Sequence, residues 1–297
     1  MTTALLTGCH TALVTPFTPD GSFDEAAYRT LIDWQIAEGV NGLVPVGSTG
    51  EAATLSLDER VGVVRVCVDQ AAGRVPVIAG AGGNDTVLAI ATSRAMANVG
   101  ATHLLHVSPA YSKPPQRGII AHFRAIADAS PLPIVLYNVP GRTASNMAAE
   151  TTLALAEHAN IIAVKEASGD LAQMSEIIRG RPSNFAVISG DDALTLGLIA
   201  AGGQGIISVV SNLVPRPMSQ LCEAALRGDF ARAREHHLNL TPIFSAAFVE
   251  SNPLPAKAAL AMLGRIGNTL RLPLVPMDPR NDALLRAALV AAGAIAA

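Results

Sequence analysis

Eight times along this chain a short run of β-branched or aliphatic residues is followed by a longer amphipathic segment, at roughly 25 to 30 residues per unit. The runs predicted as strands are Thr11–Thr15, Gly42–Val46, Val75–Ala79, His103–Val107, Pro133–Tyr137, a run ending on Lys165, Phe185–Ser189 and Gly205–Val209. Between them the periodicity predicts a helix over Asp24–Glu38 closed by Gly39, and one opening on the capping box Ser56-Leu57-Asp58-Glu59. Another is capped by Asn84 or Asp85, one runs from Pro114-Pro115 to Ala129, and one spans Ala148–His158. Strands alternating with helices make a parallel sheet, either closed or doubly wound, and eight units favour closure. The expected fold is α/β: a (β/α)8 TIM barrel over residues 1–225, followed by a C-terminal helical extension over 226–297. In the extension helices are predicted at Phe230–Val249, Ala256–Leu263 and Asp282–Ala292.

Bulk properties narrow the partners. Half of the 297 residues are apolar and 15% are charged, with a formal net charge of −3 and no block of like charge. Neither nucleic acid nor an anionic membrane is an expected partner. Cys9, Cys67 and Cys222 are odd in number and widely separated, which suits reduced thiols and a cytoplasmic location. The longest apolar stretch, residues 193–210, is broken by Gly202-Gly203-Gln204-Gly205 and reads as helix, turn and strand rather than a membrane span.

In a barrel of this kind the chemistry lies at the C-terminal ends of the strands. The most informative end is Ile161-Ile162-Ala163-Val164-Lys165, where an apolar strand stops on one lysine. Taken alone, such a lysine would simply reach solvent; buried, its charged form is disfavoured and the neutral amine is a nucleophile. Other rims supply Gly47-Ser48-Thr49-Gly50-Glu51, Ser108-Pro109-Ala110-Tyr111, Tyr137-Asn138-Val139-Pro140-Gly141-Arg142-Thr143 and Ser189-Gly190-Asp191-Asp192. Each has a bland reading as a turn, a core-edge tyrosine or a surface charge. Converging on one rim they describe something else: a lysine that forms a Schiff base with a carbonyl substrate, tyrosine and serine hydroxyls that move protons, and a guanidinium that grips a carboxylate. This is class I aldolase chemistry on a 2-keto acid, without metal or other cofactor.

These motifs, with Val164-Lys165-Glu166-Ala167 and Phe248-Val249-Glu250-Ser251-Asn252-Pro253-Leu254-Pro255-Ala256-Lys257, resemble the dihydrodipicolinate synthase / N-acetylneuraminate lyase family over about residues 8–275. The resemblance implies a homotetramer of tight dimers and, within the family, the branch that condenses pyruvate with L-aspartate 4-semialdehyde. By motif position Lys165 is the Schiff-base residue and Tyr137 the general acid/base. Ser48 and Tyr111 complete a hydroxyl relay, Tyr111 reaching a neighbouring subunit's site. Thr49 holds the pyruvate carboxylate, Arg142 the semialdehyde carboxylate, and Gly190 and Ile207 line the pyruvate pocket.

The chain also departs from the family. Ser48 stands where many members carry Thr, which keeps the hydroxyl and loses the β-branch that fixes its rotamer. Leu57, Leu88 and Ala110 stand where lysine-inhibited members carry His, Glu and Tyr, so weak or absent inhibition by lysine is expected. The alternative within the fold is a lyase or dehydratase for a sugar-derived keto acid such as N-acetylneuraminate. Arg142 argues against it, because a polyhydroxylated acceptor has no second carboxylate at that end. A silent keto-acid sensor is hard to reconcile with Lys165, Tyr137 and Tyr111 together. A metal-dependent aldolase lacks ligand spacing, His103 and His106 lying on opposite strand faces.

Overall fold

The computed structural model describes residues 5–296. Its strands are β1 (Gly8–Ala12), β2 (Gly42–Val44), β3 (Ile78–Gly80), β4 (His103–Val107), β5 (Ile134–Asn138), β6 (Ile161–Glu166), β7 (Ala186–Ser189) and β8 (Gly205–Ser208). They are hydrogen-bonded in the order β2-β1-β8-β7-β6-β5-β4-β3, all in parallel. The seam between β2 and β3 is closed by a parallel bridge between Leu43 and Val77. The result is the expected eight-stranded barrel.

Helices α1 (Glu25–Ala37), α2 (Leu57–Ala71), α3 (Thr86–Asn98), α4 (Gln116–Ala129), α5 (Pro140–Thr143), α6 (Ala149–Ala156), α7 (Leu171–Gly180), α8 (Thr195–Ala200) and α9 (Pro215–Leu226) form the outer layer. Their starts follow local chemistry. Asp24 caps α1 and Asp85 caps α3 by accepting from backbone N–H groups, and Ser56 with Glu59 makes the complete capping box of α2. Alternation along the strands separates two environments. Ala12, Val44, Ile78, Leu105, Val135, Ala163, Ile188 and Ile207 fill the barrel, while Leu43, Leu104, Leu136 and Val164 meet the helices.

The first strand lies three residues earlier than its β-branched run predicts. Gly8 pairs with Gly205 at the start of the ladder, and a Cβ on Gly205 would lie 2.0 Å from the Gly8 carbonyl oxygen. The two backbones therefore meet at a pair of glycines that strand propensity disfavours. At the other end Val14 N–H already turns to the Asn212 side chain at 3.2 Å.

After the barrel come α10 (Phe230–Ala246), α11 (Leu254–Met262) and α12 (Asp282–Ala291). α10 packs on α9, α8 and α12, and α11 packs on α12. α10 ends three residues before the predicted Val249, because the chain turns there and carries residues 250–257 back over the C-terminal rim of the barrel. Among the described residues no helix is long and apolar enough to cross a membrane.

Candidate active site

Lys165 and Tyr137 are cross-strand neighbours on β6 and β5, and both point into the barrel. The Lys165 ammonium lies 4.2 Å from the centre of the Tyr137 ring, and the two residues are only 5% and 8% exposed. The lysine does not reach into solvent. Room for it is made by Gly190 at the end of β7, where a Cβ would stand 2.9 Å from Lys165 Cε and 2.7 Å from Ala167 Cβ.

Two adjoining chambers of about 440 and 310 Å³ open at this point and share Ser48, Thr49, Tyr137, Val139, Arg142 and Lys165. The larger is mostly apolar and extends past Ala52, Ala53 and Ala110; the smaller reaches Gly190, Asp191, Val209, Phe248 and Asn252. Concave, apolar space with a few convergent polar groups is the form of a small-molecule site. Six of the eight residues singled out in the sequence line it. Ile207 is fully buried in the barrel core beneath, outside the lining of either chamber. Tyr111 is 92% exposed and also lies outside that lining.

The rim loops hold strained backbone. Val46, Glu51, Tyr111, Lys113 and Ala144 all have left-handed φ values between 48° and 66°. Each such residue costs on the order of 1–3 kcal/mol, and clusters of this kind accompany functional sites. Val46 and Glu51 bracket Ser48 and Thr49, and Ala144 follows Arg142 by two residues.

Further contacts fix these loops. Thr15 Oγ1 donates to the Gly50 carbonyl at 2.7 Å, and Asn252 Nδ2 donates to Thr49 Oγ1 at 2.8 Å. Arg142 Nη2 donates to the Asn252 carbonyl at 3.2 Å, and Tyr111 N–H donates to the Thr143 carbonyl at 3.2 Å. Below the Ser48–Thr49 turn, Lys257 Nζ meets Glu51 Oε1 at 2.6 Å with both side chains fully enclosed. Burial pulls the Lys257 ammonium below its ordinary pKa while Glu51 holds it up. On the helix side of β5 and β6, Asn138 and the buried Glu166 carry a second polar network.

Asn252, Lys257, Asn138 and Glu166 escaped the sequence reading as individual residues. The first two stand in a segment singled out only for its resemblance, and nothing local distinguishes a fully buried lysine from a surface one. Asn138 and Glu166 could have been found, since each directly follows a predicted reactive residue on its strand. Among the described residues no three His, Cys, Asp or Glu side chains converge as metal ligands. His103 and His106 are held below the ordinary imidazole pKa by burial, His106 at about 3.

The sequence matches the dihydrodipicolinate synthetase family over residues 5–292. It is 50% identical over 289 residues to the 4-hydroxy-tetrahydrodipicolinate synthase of Oleidesulfovibrio alaskensis, covering 97% of this chain and 99% of that relative. Among solved structures, the chloride-inhibited dihydrodipicolinate synthase from Acinetobacter baumannii complexed with pyruvate superposes with a TM-score of 0.96 at 40% identity, over 97% of this chain and 99% of that one. The enzyme from Cyanidioschyzon merolae with lysine bound superposes with a TM-score of 0.95 at 43% identity, again over 97% and 99%.

Proposed function

Because the chain belongs to the dihydrodipicolinate synthetase family, we propose that it is a lyase, a 4-hydroxy-tetrahydrodipicolinate synthase that condenses pyruvate with L-aspartate 4-semialdehyde on the way to diaminopimelate and lysine. The observation that carries this reading is the enclosed Lys165 ammonium 4.2 Å from the Tyr137 ring, in a cavity that also contains Thr49 and Arg142. Two groups suited to carboxylates match a reaction between two acids.

In this mechanism the neutral Lys165 amine attacks C2 of pyruvate. Tyr137 protonates the carbonyl oxygen and then the departing hydroxyl, so that water leaves and an imine remains. Loss of a proton from C3 gives the enamine, whose C3 bonds to the aldehyde carbon of the semialdehyde. The semialdehyde's amino group then attacks C2, closes the six-membered ring and releases Lys165. Thr49 holds the pyruvate carboxylate and Arg142 the acceptor's, while Ser48 passes protons between Tyr137 and the exterior. Gly190 leaves space beside the reacting carbon, and Ile207 packs in the barrel core beneath the site.

Tyr111 completes the relay in a neighbouring subunit. Its outward position and its left-handed backbone, tied to Thr143, leave its side chain free for a neighbouring subunit; the assembly in this reading is a homotetramer of dimers. In this reading the catalytic barrel takes the described residues up to 225 and the extension those from 226 on, and the protein works in the cytoplasm without a cofactor.

The test is pyruvate consumption with aspartate 4-semialdehyde or with N-acetylmannosamine as acceptor, each against a Lys165→Ala control. Turnover with the semialdehyde alone, lost in the control, is expected. Turnover only with the sugar would keep the Schiff base and overturn the acceptor.

A further inference from the structure

The geometry points to Asn252 as a positioning residue that sets the polarity of the Thr49 hydroxyl, making it a committed donor to the pyruvate carboxylate. This inference rests on the functional reading above and deepens it.

Asn252 belongs to the segment between α10 and α11, is 5% exposed, and stands in the lining of the chamber that holds Lys165, Thr49 and Gly190. Its amide nitrogen donates to Thr49 Oγ1 at 2.8 Å. A hydroxyl has one proton to give. When its oxygen already accepts from a buried amide, that proton is directed elsewhere, and the chamber lies alongside. An acceptor carboxylate is the group such a hydroxyl suits best. The main-chain carbonyl of Asn252 meanwhile receives Arg142 Nη2 at 3.2 Å. One residue thus sets the donor at one end of the cavity and the guanidinium at the other.

The placement of Asn252 is itself enforced. Five residues on, Lys257 runs under the rim, where its ammonium meets Glu51 at 2.6 Å and the Thr15 carbonyl at 2.9 Å. Glu51 lies two residues after Thr49. Two segments about two hundred residues apart in sequence are therefore tied at two points, 49 to 252 and 51 to 257. A hinge would need one attachment; two fix the angle at which the amide faces the hydroxyl.

The measurement is borohydride trapping of the pyruvate adduct as a function of pyruvate concentration, which needs no acceptor substrate. Asn252→Ala is expected to raise half-saturation by about tenfold while the fully trapped fraction stays that of the parent. Thr49→Val is expected to do the same, and the two substitutions together no more than either alone, because both remove one interaction. Asn252→Asp keeps the volume and the fold but turns the contact round: its carboxylate accepts a hydrogen bond from the hydroxyl, and half-saturation rises beyond that of Asn252→Ala. Fully additive effects in the double variant would overturn the inference, as would an Asn252→Asp protein that traps pyruvate like the parent. A parent chain that forms no adduct at any pyruvate concentration would sink the functional reading and this inference with it. Adduct formation without turnover of the semialdehyde would remove the acceptor assignment alone.

Discussion

Asn138 and Glu166 are paired across β5 and β6 one residue beyond Tyr137 and Lys165, with Asn138 Nδ2 3.1 Å from each carboxylate oxygen of Glu166. Successive strand residues face opposite sides, so this pair stands behind the reactive one in the helix layer. The carboxylate also accepts from Gln173 Nε2 at 3.1 Å and Ser168 N–H at 2.8 Å, and the Asn138 oxygen accepts from Met147 N–H at 2.9 Å. The register that sets Tyr137 beside Lys165 is thus fixed by hydrogen bonds on the far side of the sheet.

Glu166→Gln brings an amide N–H₂ into a ring of donors. The expected cost is about 1–3 kcal/mol of stability, read as a lower urea midpoint, together with a drop in kcat. An unchanged midpoint would show that the register is fixed elsewhere.

Tyr137→Phe removes the phenol while keeping the ring beside Lys165. The expected result is a fall in kcat of about 10²- to 10⁴-fold with little change in the pyruvate KM. Retained turnover would transfer the acid/base role to another hydroxyl.

Lys257→Met leaves the fully enclosed Glu51 carboxylate without its cation, which costs about 3–5 kcal/mol. Adding Glu51→Gln is expected to return most of that loss in thermal or urea unfolding. If the double variant is no better than the single one, the cost lies in packing against Phe17, over whose ring the ammonium sits at 4.3 Å.

Burial pushes the Asp192 carboxyl up to about 6, against its hydrogen bonds from Ser208 Oγ and Val209 N–H, which pull it down. A raised acid pKa means that the fold favours the protonated form. The contribution is complete below the unfolded value near 3.8 and is lost as pH rises through about 6. It amounts to about 3 kcal/mol at most. Glu59, held down from 4.5 to about 2 by the Arg271 guanidinium, has the opposite sign, its contribution being lost as pH falls from about 4.5 through about 2, and it is common to both proteins. The stability difference between parent and Asp192→Asn should therefore change between about pH 3.8 and 6; a constant difference would remove Asp192 as the titrating group.

Lysine is expected to inhibit weakly or not at all, since Leu57, Leu88 and Ala110 offer neither charge nor hydrogen-bonding side chains. Initial rates across a lysine series decide it, and half-inhibition in the submillimolar range would overturn the expectation.

The barrel was legible because the information for it is periodic: each strand and helix repeats a local pattern, and the eightfold count does the rest. That Lys165, Tyr137 and Thr49 lie together was legible because barrel topology turns strand ends into a single rim. The β1 start was not, since Gly8 and Gly205 meet through the absence of side chains. Nor was the inner support of the site. Asn252 and Lys257 act on residues more than two hundred positions away, and no window of sequence contains both partners.

That separation bears on the order in which the protein is made. The turn carrying Thr49 leaves the ribosome early, and its partners at 252 and 257 follow some 203 and 206 residues later. At about 5–20 residues per second that is a delay of ~10–40 s. Late in that interval, once β8 has emerged, a nascent barrel can close its strands while the Glu51 carboxylate waits for its cation and Thr49 has no amide to orient it. The closing segment thus acts as a completeness check: a chain interrupted between residues 208 and 252 carries every reactive group of the rim and lacks the clasp that arranges them.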